Sequence, residues 1–276
     1  MIKKILLAGV IGAPIAQSKS PRLHRHWLRR YGLPGDYVPL HVESENLETV
    51  LRSLPKMGFV GANVTIPHKV AVMKFADQVS DRATLVGATN TLIFKDDGCI
   101  FADNTDGYGF MANLRQHAPD WDPTSGPAAV LGAGGAARAI IVALADAGVT
   151  EILLANRTRA KSDALRAEFG ARIRVVDWVQ AGNMFEDAAT VVNTTSLGMV
   201  GQPELRVPLD GLQAGNLVTD LVYNPLRTPL LDAAQAAGCV TFDGLGMLLH
   251  QGVPGFERWF GVRPEVDDET RRVVLG

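Results

Sequence analysis

The sequence predicts an α/β protein built from two sheet-and-helix units. Three observations carry that expectation. Short apolar runs alternate with amphipathic stretches from end to end, the order that builds parallel sheets with helical crossovers. Of the 276 residues, 47% are apolar and 20% charged, the balance of an ordinary globular chain. One break in the rhythm, "PDWDPTSGP" at 119–127, gathers turn-forming residues and separates a first series of elements from a second.

The first apolar run, "ILLAGVIG" (5–12), reads as a buried strand ended by Gly-Ala-Pro. Lysines before it and small residues after it trace the outline of a secretory leader. Gly9, Gly12 and Pro14 interrupt that outline, and no run approaches the length of a membrane span, so the chain is read as cytoplasmic. "SPRLHRHWLRRYG" (20–32) follows as a helix, with Ser20 as its cap and Pro21 at its first position. Leu23, Trp27, Leu28 and Tyr31 share one face of it, and Gly32 stops it. "DYVPLHV" (36–42) reads as a strand, "NLETVLRSLPKMG" (46–58) as a helix, "GANVTI" (61–66) as a strand and "HKVAVMKFADQV" (68–79) as a helix. "NTLIFKDDGCIFADNTDG" (90–107) looks like a hairpin turning at Asp97-Gly98, and "GYGFMANLRQHA" (107–118) is helical.

Beyond the break, strand and helix alternate through "AAVLGAGGAARAIIVALADAG", "EILLANRT", "RAKSDALRAEFG", "IRVVDW" and "TVVNTTSLGM". "NLVTDLVYNP", "TPLLDAAQAAG", "VTFDG" and a helical stretch from Leu245 complete the chain. A formal net charge of −2 supplies neither a basic footprint for nucleic acid nor an acidic tail. Small anions must then be held by a few placed groups. Cys99 and Cys239 lie too far apart in sequence for metal-ligand or redox spacing, and read as ordinary thiols.

Two places carry chemistry. "AVLGAGGAARA" fits G-x-G-x-x-A with Gly132, Gly134 and Ala137. The first glycine makes the tight turn, the second lets backbone approach a pyrophosphate, and the third, small position packs helix on sheet. Such a turn also arises for packing alone, but here it follows a strand and opens a helix, as dinucleotide binding requires. An NAD-selective site would offer an acid after the second strand. The chain instead has Asn156, Arg157 and Thr158, with Lys161 a turn later. A guanidinium grips a 2′-phosphate that an acid would repel, so NADP is the expected cofactor. The bland reading is a solvated basic loop capped by Thr158.

The second place is a set of polar stretches at strand ends: "SKS" (18–20), "NVTIPHK" (63–69), "GATNT" (87–91), "DNTDG" (103–107) and "LLHQG" (248–252). Each has a bland reading as cap, strand residue or turn former. Ser18 and Lys69 resist it, since local structure needs neither. Together the residues suit a polyhydroxy acid: hydroxyls for its carboxylate, amides for its hydroxyls. A Lys-Asp pair suits proton traffic at an alcohol being oxidised. A helix start and partial burial both disfavour an ammonium, and so both would prepare Lys69 to give up its proton.

In their order along the chain, "PIAQSKSP", "NVTIPHK", "GATNT", "NTDG", "GAGGAAR", "NRT", "NTTSLGM", "DLVYNP" and "DGLGMLLHQG" resemble the shikimate dehydrogenases over nearly the whole length. The resemblance implies NADP-linked interconversion of 3-dehydroshikimate and shikimate in chorismate and aromatic amino-acid biosynthesis. It implies a substrate domain of residues 1–105 and 244–276, completed by the C-terminal helices, and a Rossmann-like NADP domain of residues 106–243. Lys69 then looks like the general acid/base and Asp106 its partner, while Ser18, Ser20, Thr65, Asn90, Asp106, Tyr223 and Gln251 resemble substrate ligands. Gly132, Ala133, Gly134, Gly135 and Ala136, with Asn156, Arg157, Thr158 and Lys161, resemble the NADP cradle, and Asp81, Leu221 and Gly244 match further cofactor-side positions. No metal site is implied. The partners expected are the small-molecule substrate and neither nucleic acid nor membrane, in a monomer or homodimer.

Two departures are small: Leu221 stands where the family usually has methionine, and Lys161 where a later arginine is common. Lysine binds as a point charge, so NADP selectivity could loosen slightly. Rival readings are an NAD-linked quinate/shikimate dehydrogenase, against which both serines of "SKS" and the Asn-Arg-Thr loop argue, and a non-enzymatic NADPH-sensing regulator. The second would be signalled by loss of Lys69 or Asp106, and both are present. A methylenetetrahydrofolate-type dehydrogenase is a third, but paired serines do not suit a pterin.

Overall fold

The computed structural model describes residues 5–276. The chain forms two compact units: one runs to Gly109 and resumes at Leu248–Gly276, and the other spans Phe110–Met247. The lysines at positions 3 and 4, which gave the leader-like outline, lie outside the described residues. Among those residues no helix is long and apolar enough to cross a membrane.

The first unit is built on strands β1 (Leu6–Gly12), β2 (Gly35–His41), β3 (Phe59–Val64), β4 (Gln78–Val79), β5 (Thr91–Phe94) and β6 (Ile100–Asp103), in the order β2-β1-β3-β5-β6-β4. Proline in "DYVPLHV" is tolerated because β2 is an edge strand. The sheet is mixed, its parallel strands extended by the hairpin that the sequence predicts. β1 runs parallel to β2 and β3, but the tight turn at Asp97-Gly98 forces β5 and β6 to be antiparallel neighbours, and β5 is antiparallel to β3 as well. Gly98 takes φ +83°, the left-handed conformation such a turn needs. Because β5 runs backwards, the residues just before it lie at the edge where β1, β3 and β6 end. That reversal gathers the site described below.

Helices α1 (Ser20–Arg30) and α2 (Leu47–Ser53) follow β1 and β2. α1 buries Leu23, Trp27 and Leu28, as its stripe predicts. Its cap differs: Lys19 is the N-cap residue and Ser20 is the first helical one, with the hydroxyl of Ser18 accepting the N–H of Ser20 at 3.3 Å. The expected helix over 68–79 is a correction. Only a 3₁₀ turn, Ala71–Phe75, forms there, followed by β4 and a short α3 (Asp81–Val86) capped by the Ser80 hydroxyl. The physical reason is a competing partner: the N–H of Thr89 takes the carbonyl of Lys69 at 2.7 Å, while Met73 N–H turns to the nearer carbonyl of Val70. Ile11, Leu47, Leu51, Ala62, Val64 and Leu92 form the core of this unit.

Helix α4 (Asp106–His117) leads into the second unit, with strands β7 (Ala128–Leu131), β8 (Ile152–Ala155), β9 (Ile173–Val176), β10 (Thr190–Asn193), β11 (Leu217–Asp220) and β12 (Val240–Phe242). They pair in the order β12-β11-β10-β7-β8-β9, all parallel. Helices α5 (Gly135–Ala147), α6 (Arg159–Phe169), α7 (Met184–Asp187) and α8 (Pro229–Ala236) connect them. Both faces of the sheet are apolar, as parallel sheets require. Ala128, Val130, Ile152 and Leu154 pack on one side with Ile140 and Leu144, while Ala129, Leu131 and Leu153 pack on the other with Phe185 and Leu231. The chain closes with α9 (Gly244–Phe260), which accommodates Pro254, and α10 (Asp268–Leu275).

Candidate active site

At one edge of the first sheet, three chain segments and helix α9 bring their polar side chains together. β3 ends in Thr65, and the chain then turns through His68 and Lys69. His68 is an anchor: it is buried, and its ring donates to the carbonyl of Val42 at 2.6 Å. With Thr89 N–H on the Lys69 carbonyl, the turn is held from both sides. Lys69 is therefore not at the start of an α-helix of its own, as the sequence pattern had suggested.

The Lys69 ammonium donates to Oδ2 of Asp106 at 2.5 Å, with the lysine side chain 15% exposed and the aspartate 4%. Asp106 is the first residue of α4, and the side-chain carbonyl of Asn104 accepts its N–H at 3.0 Å, so the carboxylate is fixed by its own backbone. The amide of Asn90, immediately before β5, donates to the other carboxylate oxygen at 2.9 Å and to Oε1 of Gln251 on α9 at 3.0 Å. Its oxygen accepts the N–H of Thr105 at 2.8 Å. Thr105 in turn donates to the Gln251 carbonyl at 2.9 Å. Asn90 is thus the hub that aligns the Lys69–Asp106 pair with Gln251. A pair of opposite charges held this way, near the surface but mostly desolvated, can pass a proton to or from a hydroxyl set beside it.

Ser18, Ser20 and Thr65 lie on the same unit. The Ser18 hydroxyl accepts from Ser20 N–H, which leaves its own proton to donate. Ser20 is buried, and the buried Tyr37 hydroxyl donates to Oδ1 of Asn63 at 2.7 Å. Burial holds the Tyr37 phenol well above its ordinary range, so it stays a donor. Thr65 is half-buried. Asp81 opens α3 and is exposed. Sequence reasoning missed Asn63, Thr91, Asn104 and Thr105 as the buried lattice behind the pair. Asn104 and Thr105 stand inside "DNTDG", but nothing in their type separates a lattice member from a turn former.

In the second unit, Gly132 follows β7 with φ +107°, and a Cβ there would come within 2.6 Å of Thr194 Oγ1. The turn after β7 is thus pressed against the turn after β10. These are the neighbouring strands from which the chain winds in opposite directions, the switch point where α/β sheets bind ligands. A Cβ on Gly134, the N-cap of α5, would meet no protein atom within 4 Å, and no side chain caps that helix. Ala133, Gly135 and Ala136 complete an open cradle of backbone at a helix N-terminus, which fits a pyrophosphate.

Past β8, Asn156 donates to the carbonyl of Thr158 at 2.9 Å. Thr158 is the N-cap of α6, but its side chain makes no capping bond, contrary to the bland reading. Arg157, Thr158 and Lys161 are exposed. Among the described residues Arg159 is tied to Asp177 and Asp163, whereas no acid holds Arg157 or Lys161. The residues present fit a 2′-phosphorylated dinucleotide.

One residue of this unit was not anticipated. Asp220, at the end of β11, is 1% exposed and accepts from Asn193 at 2.9 Å, from Val222 N–H at 2.9 Å and from Thr228 at 2.8 Å. Burial outweighs these bonds and pushes its carboxyl up to about 6. It organises the turn bearing Leu221 and half-buried Tyr223. Gly244 supports the same turn, because a Cβ there would lie 2.4 Å from the Leu221 carbonyl oxygen.

The chain matches known proteins in both sequence and fold. Residues 10–92 match the shikimate dehydrogenase substrate binding domain, 119–199 match the shikimate / quinate 5-dehydrogenase family and 244–268 match the shikimate 5'-dehydrogenase C-terminal domain. A shikimate dehydrogenase (NADP(+)) of Roseobacter denitrificans is 68% identical over 99% of both chains. The shikimate 5-dehydrogenase of Thermus thermophilus, solved with NADP(H) and shikimate, superposes with a TM-score of 0.87 at 35% identity, covering 98% of this chain and 99% of that one. A quinate dehydrogenase of Corynebacterium glutamicum, solved with NAD, superposes with a TM-score of 0.89 at 31% identity, covering 98% and 99%. The motifs, the two sheets and these matches along the whole length agree: the chain belongs to the shikimate dehydrogenase family.

Proposed function

We propose that the chain is an NADP-dependent shikimate dehydrogenase, reducing 3-dehydroshikimate to shikimate and running the reverse reaction, in the cytoplasm and as a monomer or homodimer. The observation that carries the proposal is the Lys69–Asp106 pair, locked by Asn90 to Gln251 at one sheet edge. In the reducing direction the Lys69 ammonium gives a proton to the carbonyl oxygen as it becomes a hydroxyl. In the oxidising direction the amine takes that proton back. Asp106 accepts from the same hydroxyl and keeps Lys69 aimed at it. NADPH supplies the hydride when bound.

Ser18 and Ser20 are assigned to the substrate carboxylate, and Thr65, Asn90 and Gln251 to its hydroxyls. Tyr223, Leu221, Asp81 and Gly244 are assigned on their motifs alone. We assign substrate recognition to residues 1–105 with 244–276 and cofactor binding to residues 106–243. The cofactor choice rests on Arg157 and Lys161, which no acid among the described residues holds. Steady-state rates with shikimate and quinate, each with NADP+ and NAD+, test the reading. The expected result is a kcat/KM for shikimate with NADP+ well above the other three combinations. A preference for quinate with NAD+ would replace this reading with the quinate one.

A further inference from the structure

Lys19 stands between the two serines, and its side chain does not face the way theirs are assigned to face. It crosses to the far end of the sequence, where its ammonium donates to the carbonyls of Val274 and Leu275, each at 3.2 Å. These belong to the last turn of α10, whose carbonyls have no partner within the helix. A cation there is favoured by the helix dipole. The backbone of Lys19 meanwhile starts α1, its carbonyl accepting the N–H of Leu23 at 3.1 Å.

The opposite end of α1 is fastened to the start of α10. Arg30 pairs with Asp267 at 2.7 Å, and Asp267 caps α10 through the N–H of Thr270 at 2.9 Å. The Trp27 indole donates to the Glu265 carbonyl at 3.2 Å, and Val274 is fully buried. α10 is therefore an antiparallel strap along α1, fixed at one end by Arg30 and at the other by Lys19. Burial first, and the nearby Arg22 charge second, lower the pKa of Lys19. A partly buried ammonium costs stability that an apolar side chain at this position would not.

We infer that Lys19 is a positioning residue for the substrate carboxylate: by tying the Ser18–Ser20 turn to the end of α10, it sets the spacing and direction of both hydroxyls. The inference rests on the assignment of Ser18 and Ser20 to that carboxylate. Lys19 itself touches no substrate, since its ammonium is committed to α10.

The test compares the full-length wild type with Lys19→Met, Lys19→Arg, Ser18→Ala and the Ser18→Ala/Lys19→Met pair, reading kcat and both KM values. Losing two hydrogen bonds from an ammonium should raise the shikimate KM of Lys19→Met by about three- to tenfold. Its kcat and NADP+ KM should stay within about twofold, because the proton-transfer pair and the cofactor cradle are untouched. Lys19→Arg should recover most of the loss, as a purely steric fault would not. On the Ser18→Ala background the Lys19→Met effect should shrink, as expected of groups acting through one another. An unchanged shikimate KM in Lys19→Met, or an equal rise in both KM values, overturns the positioning role and leaves the enzyme assignment standing. A wild type inactive on shikimate removes the carboxylate assignment, and the role of Lys19 with it.

Discussion

Asp220 is buried with no cation beside it among the described residues, and that environment sets a pH dependence. Its folded value of about 6 lies above the ordinary 3.8, so between those values the folded state holds more proton than the unfolded one. Stability from this group is full below pH ~4 and is lost as pH rises through about 6, by roughly 3 kcal/mol. Asp220→Asn does not titrate. Its stability relative to wild type should therefore improve by that order between pH 4 and pH 7, measured by chemical denaturation at each pH. A constant difference would mean that the Asn193, Val222 and Thr228 bonds fully offset burial. Arg157 carries a second residue-scale prediction. If it grips a 2′-phosphate, Arg157→Ala should reduce the preference for NADPH over NADH roughly tenfold to a hundredfold, at about 1.5–3 kcal/mol for a charge-assisted contact. Parallel loss with both cofactors, measured as kcat/KM, would instead make Arg157 a support of the fold.

The glycine-rich turn separates two roles at the scale of an element. Gly132 is required by the fold, since φ +107° and the close Thr194 leave no room for a side chain. Gly134 has an extended backbone and open space beside it, so the protein itself tolerates a methyl there. Gly134→Ala should behave as a surface substitution, its melting temperature within about a degree or two of wild type, while raising the NADPH KM severalfold. Gly132→Ala should lose folded protein. A Gly134→Ala variant with unchanged NADPH KM would show that no pyrophosphate sits on this turn. Local pattern made these elements legible: the turn after β7, the hairpin at Asp97-Gly98 and the stripe of α1 all rest on neighbours in sequence. What escaped was decided at a distance. The segment after His68 has a helical pattern, but its first carbonyl is claimed by Thr89, twenty residues on. Ser20 resembles a cap, yet the N–H of Leu23, which a cap there would satisfy, goes to the Lys19 carbonyl, and the N–H of Ser20 itself goes to the Ser18 hydroxyl.

For the whole molecule, shape does not choose the substrate. A shikimate dehydrogenase and a quinate dehydrogenase both superpose on this chain with nearly equal TM-scores, 0.87 and 0.89. What the sequence did show as motifs were the polar groups of the site: Lys69, Asp106, Asn90 and Gln251 come from four separate stretches and meet at one edge. Their meeting was not legible from composition or periodicity, because it depends on β5 running against β3 and β6. The hydrogen-bond lattice of Asn63, Thr91, Asn104 and Thr105 was less legible still, since small polar residues look alike until their partners are known. If Lys69 moves the proton in NADP-linked oxidation of shikimate, the kcat of Lys69→Ala must show it. The expected result is a fall of about 10²–10⁴, with shikimate affinity by calorimetry changed only severalfold. Turnover close to wild type in that variant would contradict it.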